Sequence, residues 1–279
     1  MYLGGCFCMN KKTDKAYNNK DFLNGKAARP VRVLCELIEP EERLEENNIE
    51  NTIVFFGSAR PKETEMANLE LSEFEKKYKF TDNLTSDLQL EHARLKRIQK
   101  LSKYYDDAVK LANKVSTWSR SQAPVMRNCF VCSGGGPGIM EASNRGAKEA
   151  GSKSIALGIS LPFEQGVNEY ASPELSFEFH YFFIRKFYFL YHAKAVFAFP
   201  GGFGTMDELF ETLTLLQTNK LNKKMPIFLY GKEFWEGLIN FDKFVEWGVI
   251  SPQDLELFKI VDSVEEAFAS LIHGIGRTE

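Results

Sequence analysis

The chain has 279 residues, which suits one large domain or two smaller ones at roughly 100–200 residues each. Hydrophobic residues make up 44 % and charged residues 26 %, which excludes a mostly disordered chain, a collagen and a coiled coil. With 35 basic against 38 acidic side chains the formal charge is −3, so there is no global basic field to hold nucleic acid.

Residues 1–30 are polar after the first few positions and read as a mobile arm. Residues 31–48 read as a helix broken at Pro40. Thr52–Phe56 is a strand run of the buried type, stopped by Gly57-Ser58-Ala59-Arg60-Pro61. A charged insertion at about 61–90 carries one helical piece within 62–84. Residues 87–119 form a long helix, because Ile98, Leu101, Tyr105, Ala108, Leu111, Val115 and Trp118 recur at three- and four-residue steps. Strands are then expected at Cys129–Cys132, Ser154–Ser160, Ala195–Phe199, Pro226–Tyr230 and Leu257–Val261. Helices alternate with them: one ending at Gly151, one reaching about Lys220, one through Phe234–Trp247, and a last one starting at Ser263 with Glu266 completing a capping box. Short apolar strands alternating with helices mean an α/β fold, a parallel sheet with helices on both faces. No internal repeat or low-complexity linker divides it, so the expectation is an N-terminal arm with helices over 1–50 and one domain over 51–279.

Five cysteines, Cys6, Cys8, Cys35, Cys129 and Cys132, are too few and too uneven for a disulfide framework and suit a reduced, cytoplasmic chain. Cys129 and Cys132 have CxxC spacing, but three residues apart on a strand they point to opposite faces and cannot share a metal. Leu3-Gly4-Gly5-Cys6 is like a lipoprotein cleavage site but follows no basic and no apolar region. The most apolar stretch, Tyr181–Phe199, contains Arg185, Lys186, His192 and Lys194, which argues against a membrane span. His92, His180, His192 and His273 show no ligand spacing, so neither metal nor cofactor is expected.

Two glycine turns carry the chemistry. Ser133-Gly134-Gly135-Gly136-Pro137-Gly138 and Pro200-Gly201-Gly202-Phe203-Gly204-Thr205 each follow a strand and open a helix. In an open parallel sheet, ligands bind at the carboxyl ends of the strands, and a helix N-terminus offers N–H donors to an anion such as phosphate. The plainer reading is a pair of tight strand–helix turns. Ile139 stands where the third glycine of GxGxxG belongs, so the dinucleotide signature fails, and GxxxxGK[ST] is also missing. Glu208 follows Thr205 by three, either as a capping box or as a carboxylate beside a bound phosphate. Arg185 lies in the aromatic run Tyr181–Tyr191, read here as buried. A buried guanidinium needs a partner: a structural carboxylate, a ligand phosphate, or Glu208 across the crevice.

Pro200-Gly201-Gly202-Phe203-Gly204-Thr205-Met206-Asp207-Glu208 resembles PGGxGTxxE, the hallmark of the lonely guy family, once mislabelled lysine decarboxylase. Ser133-Gly134-Gly135-Gly136-Pro137-Gly138-Ile139-Met140-Glu141 is similar to its first glycine motif. Phe56-Gly57-Ser58-Ala59-Arg60 is similar to the end of its first strand, and Ile184-Arg185-Lys186 to its Arg-Lys element. The likeness runs from about residue 52 to 270. It implies a Rossmann-like, three-layer fold and a nucleoside 5′-monophosphate phosphoribohydrolase, cutting AMP or N6-modified AMP to base and ribose 5-phosphate. It assigns catalysis to Arg185 and Glu208, and substrate binding to Ser58, Gly135, Gly136, Met140, Glu141, Lys186, Gly201, Gly202, Gly204 and Thr205. It also implies a homodimer or higher homo-oligomer, with segment 181–191 at or beside the interface. The arm and the 61–90 insertion depart from short family members. Two other readings remain: a pyridoxal-phosphate decarboxylase, which needs a Schiff-base lysine such as Lys186 or Lys194, and a non-catalytic nucleotide-binding module.

Overall fold

The computed structural model describes residues 13–78, 85–121, 129–161, 166–221 and 223–275. Cys6, Cys8 and the Leu3–Cys6 motif lie outside them. Seven strands form one parallel sheet: β1 (Asn51–Phe56), β2 (Cys129–Ser133), β3 (Ser154–Ile159), β4 (Ser176–Phe179), β5 (Ala193–Ala198), β6 (Ile227–Tyr230) and β7 (Phe258–Val261). Their order is β4-β3-β2-β1-β5-β6-β7, and every pairing is parallel. The helices are α1 (Lys20–Asn24), α2 (Arg29–Glu46), α3 (Thr64–Tyr78), α4 (Ser86–Ser121), α5 (Ile139–Glu149), α6 (Phe182–Tyr191), α7 (Phe203–Gln217), α8 (Lys232–Leu238), α9 (Phe241–Glu246) and α10 (Val264–Ile275).

The central strands are apolar on both faces because both are covered. Ile53, Phe55, Cys129, Val131, Phe197 and Phe228 pack toward α4, α5 and α10. Val54, Phe56, Cys132, Val196 and Leu229 pack toward α2, α6 and α7. Cys129 and Cys132 thus fall on opposite faces, and burial pushes both thiols up, Cys129 to about 11. Much of the phenylalanine is spent here: Phe55 meets Phe197 at 5.3 Å between centroids, Phe197 meets Phe228 at 4.9 Å, and Phe199 stacks on Tyr230 at 4.5 Å.

Several expectations need correction. The helix over 31–48 does not break: α2 passes through Pro40, whose ring is buried, while Leu44 enters the core a turn later. Proline in a helix interior costs about 3 kcal/mol, and the packing of α2 on α6 and the sheet outweighs it here. Within the arm, α1 and short 3-10 turns occupy residues 16–28, and Arg32 donates to the carbonyls of Leu23 and Gly25 (2.5 and 2.8 Å). The helix expected through Phe234–Trp247 is two helices, α8 and α9, parted at Ile239 and Asn240, where the Asn240 side chain caps α9. Ser263 accepts the Glu266 N–H, but Glu266 returns its carboxylate to the Asp262 N–H, one residue earlier than a capping box requires. The strand β4 has no counterpart among the strands expected from the sequence.

Candidate active site

Strand order reverses between β1 and β5, so these neighbours lead to helices on opposite sides and leave a crevice at their carboxyl ends. The loops beyond them are joined: the Phe199 N–H donates to the Phe56 carbonyl (2.8 Å) and the Ser58 N–H to the Pro200 carbonyl (3.0 Å). Trp235, fully buried, donates its indole N–H to the carbonyls of Ala198 (3.2 Å) and Tyr230 (3.0 Å) and fixes where β5 ends. The cavity so formed has a volume of about 690 Å³. Its walls are the 56–60 and 200–208 segments, Gly134, Met140, Leu101 of α4, Phe182, Arg185 and Phe189 of α6, and Phe234 and Leu238 of α8.

The first glycine turn is closed on itself. Gly138 has φ +69°, and a Cβ there would sit 2.3 Å from the Ser58 carbonyl oxygen. The Ile139 N–H donates to that carbonyl at 3.0 Å. Asn168 donates its side-chain amide to the carbonyls of Gly135 (2.9 Å) and Gly136 (3.2 Å), and Ser133 Oγ accepts the Gly135 N–H (3.1 Å).

The second turn is open. Helix α7 begins at Phe203 with Gly202 as its N-cap, and its first bond runs from the Met206 N–H to the Gly202 carbonyl (3.0 Å). The N–H groups of Phe203, Gly204 and Thr205 lie ahead of that ladder and point out of the helix end. Thr205 is therefore the third helical residue and not a cap. The capping-box reading of Thr205 and Glu208 fails, and Glu208 stands in the second turn of the helix. The Thr205 hydroxyl closes over Gly201, whereas a Cβ on Gly202 or Gly204 would meet no atom within 4 Å.

Glu208 is 8 % exposed. Burial pushes its carboxyl above the usual range, the Lys186 and Arg185 charges oppose that push, and Glu211 and Asp207 reinforce it. Lys186 Nζ lies 2.6 Å from Glu211 Oε2, 2.9 Å from Asp207 Oδ2 and 3.5 Å from Glu208 Oε2. Burial works against the Lys186 charge, but its bonds to Glu211 and Asp207, together with the Glu208 charge, raise it to about 12. Arg185, next along α6, turns the other way. Its guanidinium lies 5.1 Å from the Phe189 ring, and its Nη2 occupies the space a Cβ on Gly134 would need.

Of the expected site residues, Arg185, Glu208, Ser58, Met140, Gly201, Gly202, Gly204 and Thr205 share this cavity. Gly135, Gly136, Glu141 and Lys186 lie off its wall: Glu141 accepts the Tyr105 hydroxyl (2.7 Å), and Lys186 reaches Glu208 from the α7 flank. Arg60, Gly134, Leu101 and Phe203 line the cavity without having been singled out. Phe203, the first residue of α7, is 96 % exposed. The aromatic run is not wholly buried, because Phe182, Phe183, Phe187 and Tyr191 are exposed on α6. No helix among the described residues is long and apolar enough to cross a membrane.

Fold and crevice define a doubly wound, Rossmann-like α/β protein with its cavity at the topological switch point. A family model described as "Possible lysine decarboxylase" matches residues 140–271. The Arabidopsis thaliana protein named cytokinin riboside 5′-monophosphate phosphoribohydrolase LOG3 is 29 % identical over 177 residues, 62 % of this chain and 76 % of that one. Arabidopsis LOG1, of the same name, is 36 % identical over 90 residues, 32 % of this chain and 41 % of that one. Over part of its length the chain is thus similar to that family model and to these plant proteins. Among solved structures, the molybdenum cofactor carrier protein of Chlamydomonas reinhardtii covers 81 % of this chain and 99 % of its own at 16 % identity and a TM-score of 0.45, too distant to bear on function.

Proposed function

We propose that the crevice hydrolyses the N-glycosidic bond of a purine nucleoside 5′-monophosphate, AMP or an N6-modified AMP, to free base and ribose 5-phosphate. The observation that carries this reading is the position of Glu208. A buried carboxylate stands about five residues, roughly 7.5 Å at 1.5 Å per residue, along the helix whose N-terminus opens on the cavity. That spacing suits one ligand whose phosphate rests on Gly201, Gly202, Gly204 and Thr205 while its sugar reaches Glu208. Gly204 and Glu208 are four apart and share a helix face.

Breaking the ribose–base bond builds positive charge on the sugar, as in glycoside hydrolysis. The Glu208 carboxylate stabilises that charge and orients water. Water adds its oxygen to C1′, the bonding electrons leave with the base nitrogen, and a water proton ends on the base. Phosphate binding, remote from the bond broken, serves to position the sugar. Arg185 supports the ionised form of Glu208 and faces the same cavity. The names of the matching relatives favour this reaction class. A Schiff-base decarboxylase is less well supported: among the described residues no lysine lines the cavity, and the carboxylates around Lys186 hold it protonated.

The test is a panel of nucleoside 5′-monophosphates, nucleosides and lysine, scored by chromatography for free base and amine. Base released from monophosphates alone supports the reading, and nucleotide bound without base release would leave a binding module. The exposed rings of Phe182, Phe183, Phe187 and Tyr191 support a homodimer formed beside α6. Light scattering of the active sample checks this, and a monomer mass would refute it.

A further inference from the structure

We infer that Lys186 is a positioning residue and not a substrate contact: its ammonium gathers Asp207, Glu208 and Glu211 of α7 and sets the Glu208 carboxylate at the crevice wall. The kinetic part of this inference rests on the nucleotide-hydrolase reading; the geometric part does not.

Three carboxylates within five residues of one helix repel each other, since Asp207 and Glu211 are four apart and Glu208 and Glu211 three apart. An ammonium has three protons to give. Its short contacts go to Glu211 at 2.6 Å and Asp207 at 2.9 Å, the two carboxylates that keep contact with solvent, with side chains 36 % and 61 % exposed. Glu208, with a side chain 11 % exposed, is held at the longer distance of 3.5 Å. Lys186 thus neutralises the acidic neighbours and leaves the Glu208 oxygens available to the cavity. Its own side chain is 14 % exposed and comes from behind the cavity wall. Adjacent helical residues point about 100° apart, so Arg185 takes the crevice and Lys186 the α7 flank.

The charged groups facing Glu208 are Arg185 and Lys186 from α6, and Asp207 and Glu211 from its own helix. Without Lys186, two like charges and burial act on Glu208 against Arg185 alone, and its carboxyl takes up a proton at higher pH. Activity that needs the ionised carboxylate is then lost earlier as pH falls. Removing Glu211 has the opposite sign, because a like charge disappears.

The experiment measures kcat and KM for AMP against pH in the full chain for Lys186→Met, Lys186→Arg and Glu211→Gln. Lys186→Met is expected to lower kcat on the acid limb, by about tenfold for each unit the midpoint moves up, with KM within about twofold of wild type. Its acid limb moves up, Lys186→Arg restores most of the loss, and Glu211→Gln moves the limb down. A KM raised about tenfold with an unmoved limb would make Lys186 a substrate contact and overturn the inference. Should Lys186→Met fail to fold, Glu211→Gln decides: a limb that stays put or moves up overturns it. Should wild type release no base from AMP, the hydrolase reading fails, and carbon-detected NMR titration of the Glu208 carboxyl in ligand-free protein still decides. An unchanged Glu208 midpoint in Lys186→Met overturns the inference, and an upward shift upholds its geometric part.

Discussion

The two glycine turns occupy equivalent places, each after a strand and before a helix, yet their glycines answer to different needs. In the first, the backbone packs on itself. Gly138 lies against Ser58 and Ala59 in a left-handed conformation, and the Asn168 amide holds the neighbouring carbonyls. In the second, Gly202 and Gly204 face open space with ordinary backbone angles. Nothing in the fold forbids a side chain at those two positions. The first turn is glycine-rich because the protein fills the space; at the second the space is open, as the proposed phosphate site requires. Gly201, closed over by Thr205, belongs with the first kind.

Substitutions can break this contrast. The largest effect is expected from Gly138→Ala, which drives a Cβ to 2.3 Å from the Ser58 oxygen and 2.7 Å from the Ala59 carbonyl carbon at φ +69°. Such backbone conflict should cost about 3 kcal/mol or more, read as a fall in thermal midpoint. A variant as stable as wild type would show that the first turn is not locked. Arg185 joins the two turns, filling space over Gly134 while its charge acts on Glu208. Arg185→Ala should therefore lower kcat by about 10²-fold or more, measured by base release. An active arginine variant would separate the first turn from the chemistry.

Gly204→Ala sharpens the contrast, because stability and binding should move in opposite directions. Alanine in an open helical position stabilises by about 0.5–1 kcal/mol relative to glycine. AMP affinity should nevertheless fall about tenfold, a loss of about 1.4 kcal/mol, by calorimetry. Unchanged affinity would make the second turn as structural as the first. The smallest effect concerns the far end of α6. Lys223 donates to the carbonyls of Leu190 and Tyr191 (2.6 and 2.9 Å), and burial, with Lys194 nearby, pushes it down to about 8. The unfolded chain holds that proton up to about pH 10.4. Between about 8 and 10.4 the unfolded state binds more protons, so this group makes stability rise with pH. Denaturant melts across that window should lose this increment in Lys223→Met, and an unchanged slope would contradict the assignment.

Most strands that sequence patterning located are buried almost throughout: β1, β2, β3 and β6, and β5 beyond the exposed Lys194, read as apolar runs, while the half-buried edge strand β7 was legible from its apolar Ile260-Val261 end. Ser176-Phe177-Glu178-Phe179 escaped because β4 is an edge strand of four residues, buried on alternate positions only. The glycine turns were legible because two strand–helix junctions had the same unusual composition. Where α7 begins was not, since a glycine N-cap without a side-chain bond leaves no mark, and Thr205 looked like the cap it is not. The exposed half of the aromatic run was hidden for a related reason: composition does not tell which face of α6 meets the sheet. The contacts of Lys186 with Asp207, Glu208 and Glu211 were out of reach, because they depend on how α6 lies along α7.

Glu208 bears the central claim, that the open turn and the buried carboxylate act on one nucleotide. The most direct measurement pairs AMP binding with adenine release in wild type and Glu208→Gln, an isosteric change that removes only the charge. The account predicts that AMP still binds, with an affinity within about tenfold, while adenine release falls by about 10²–10⁴-fold. Adenine release at the wild-type rate would contradict it and leave Glu208 a structural partner of Lys186.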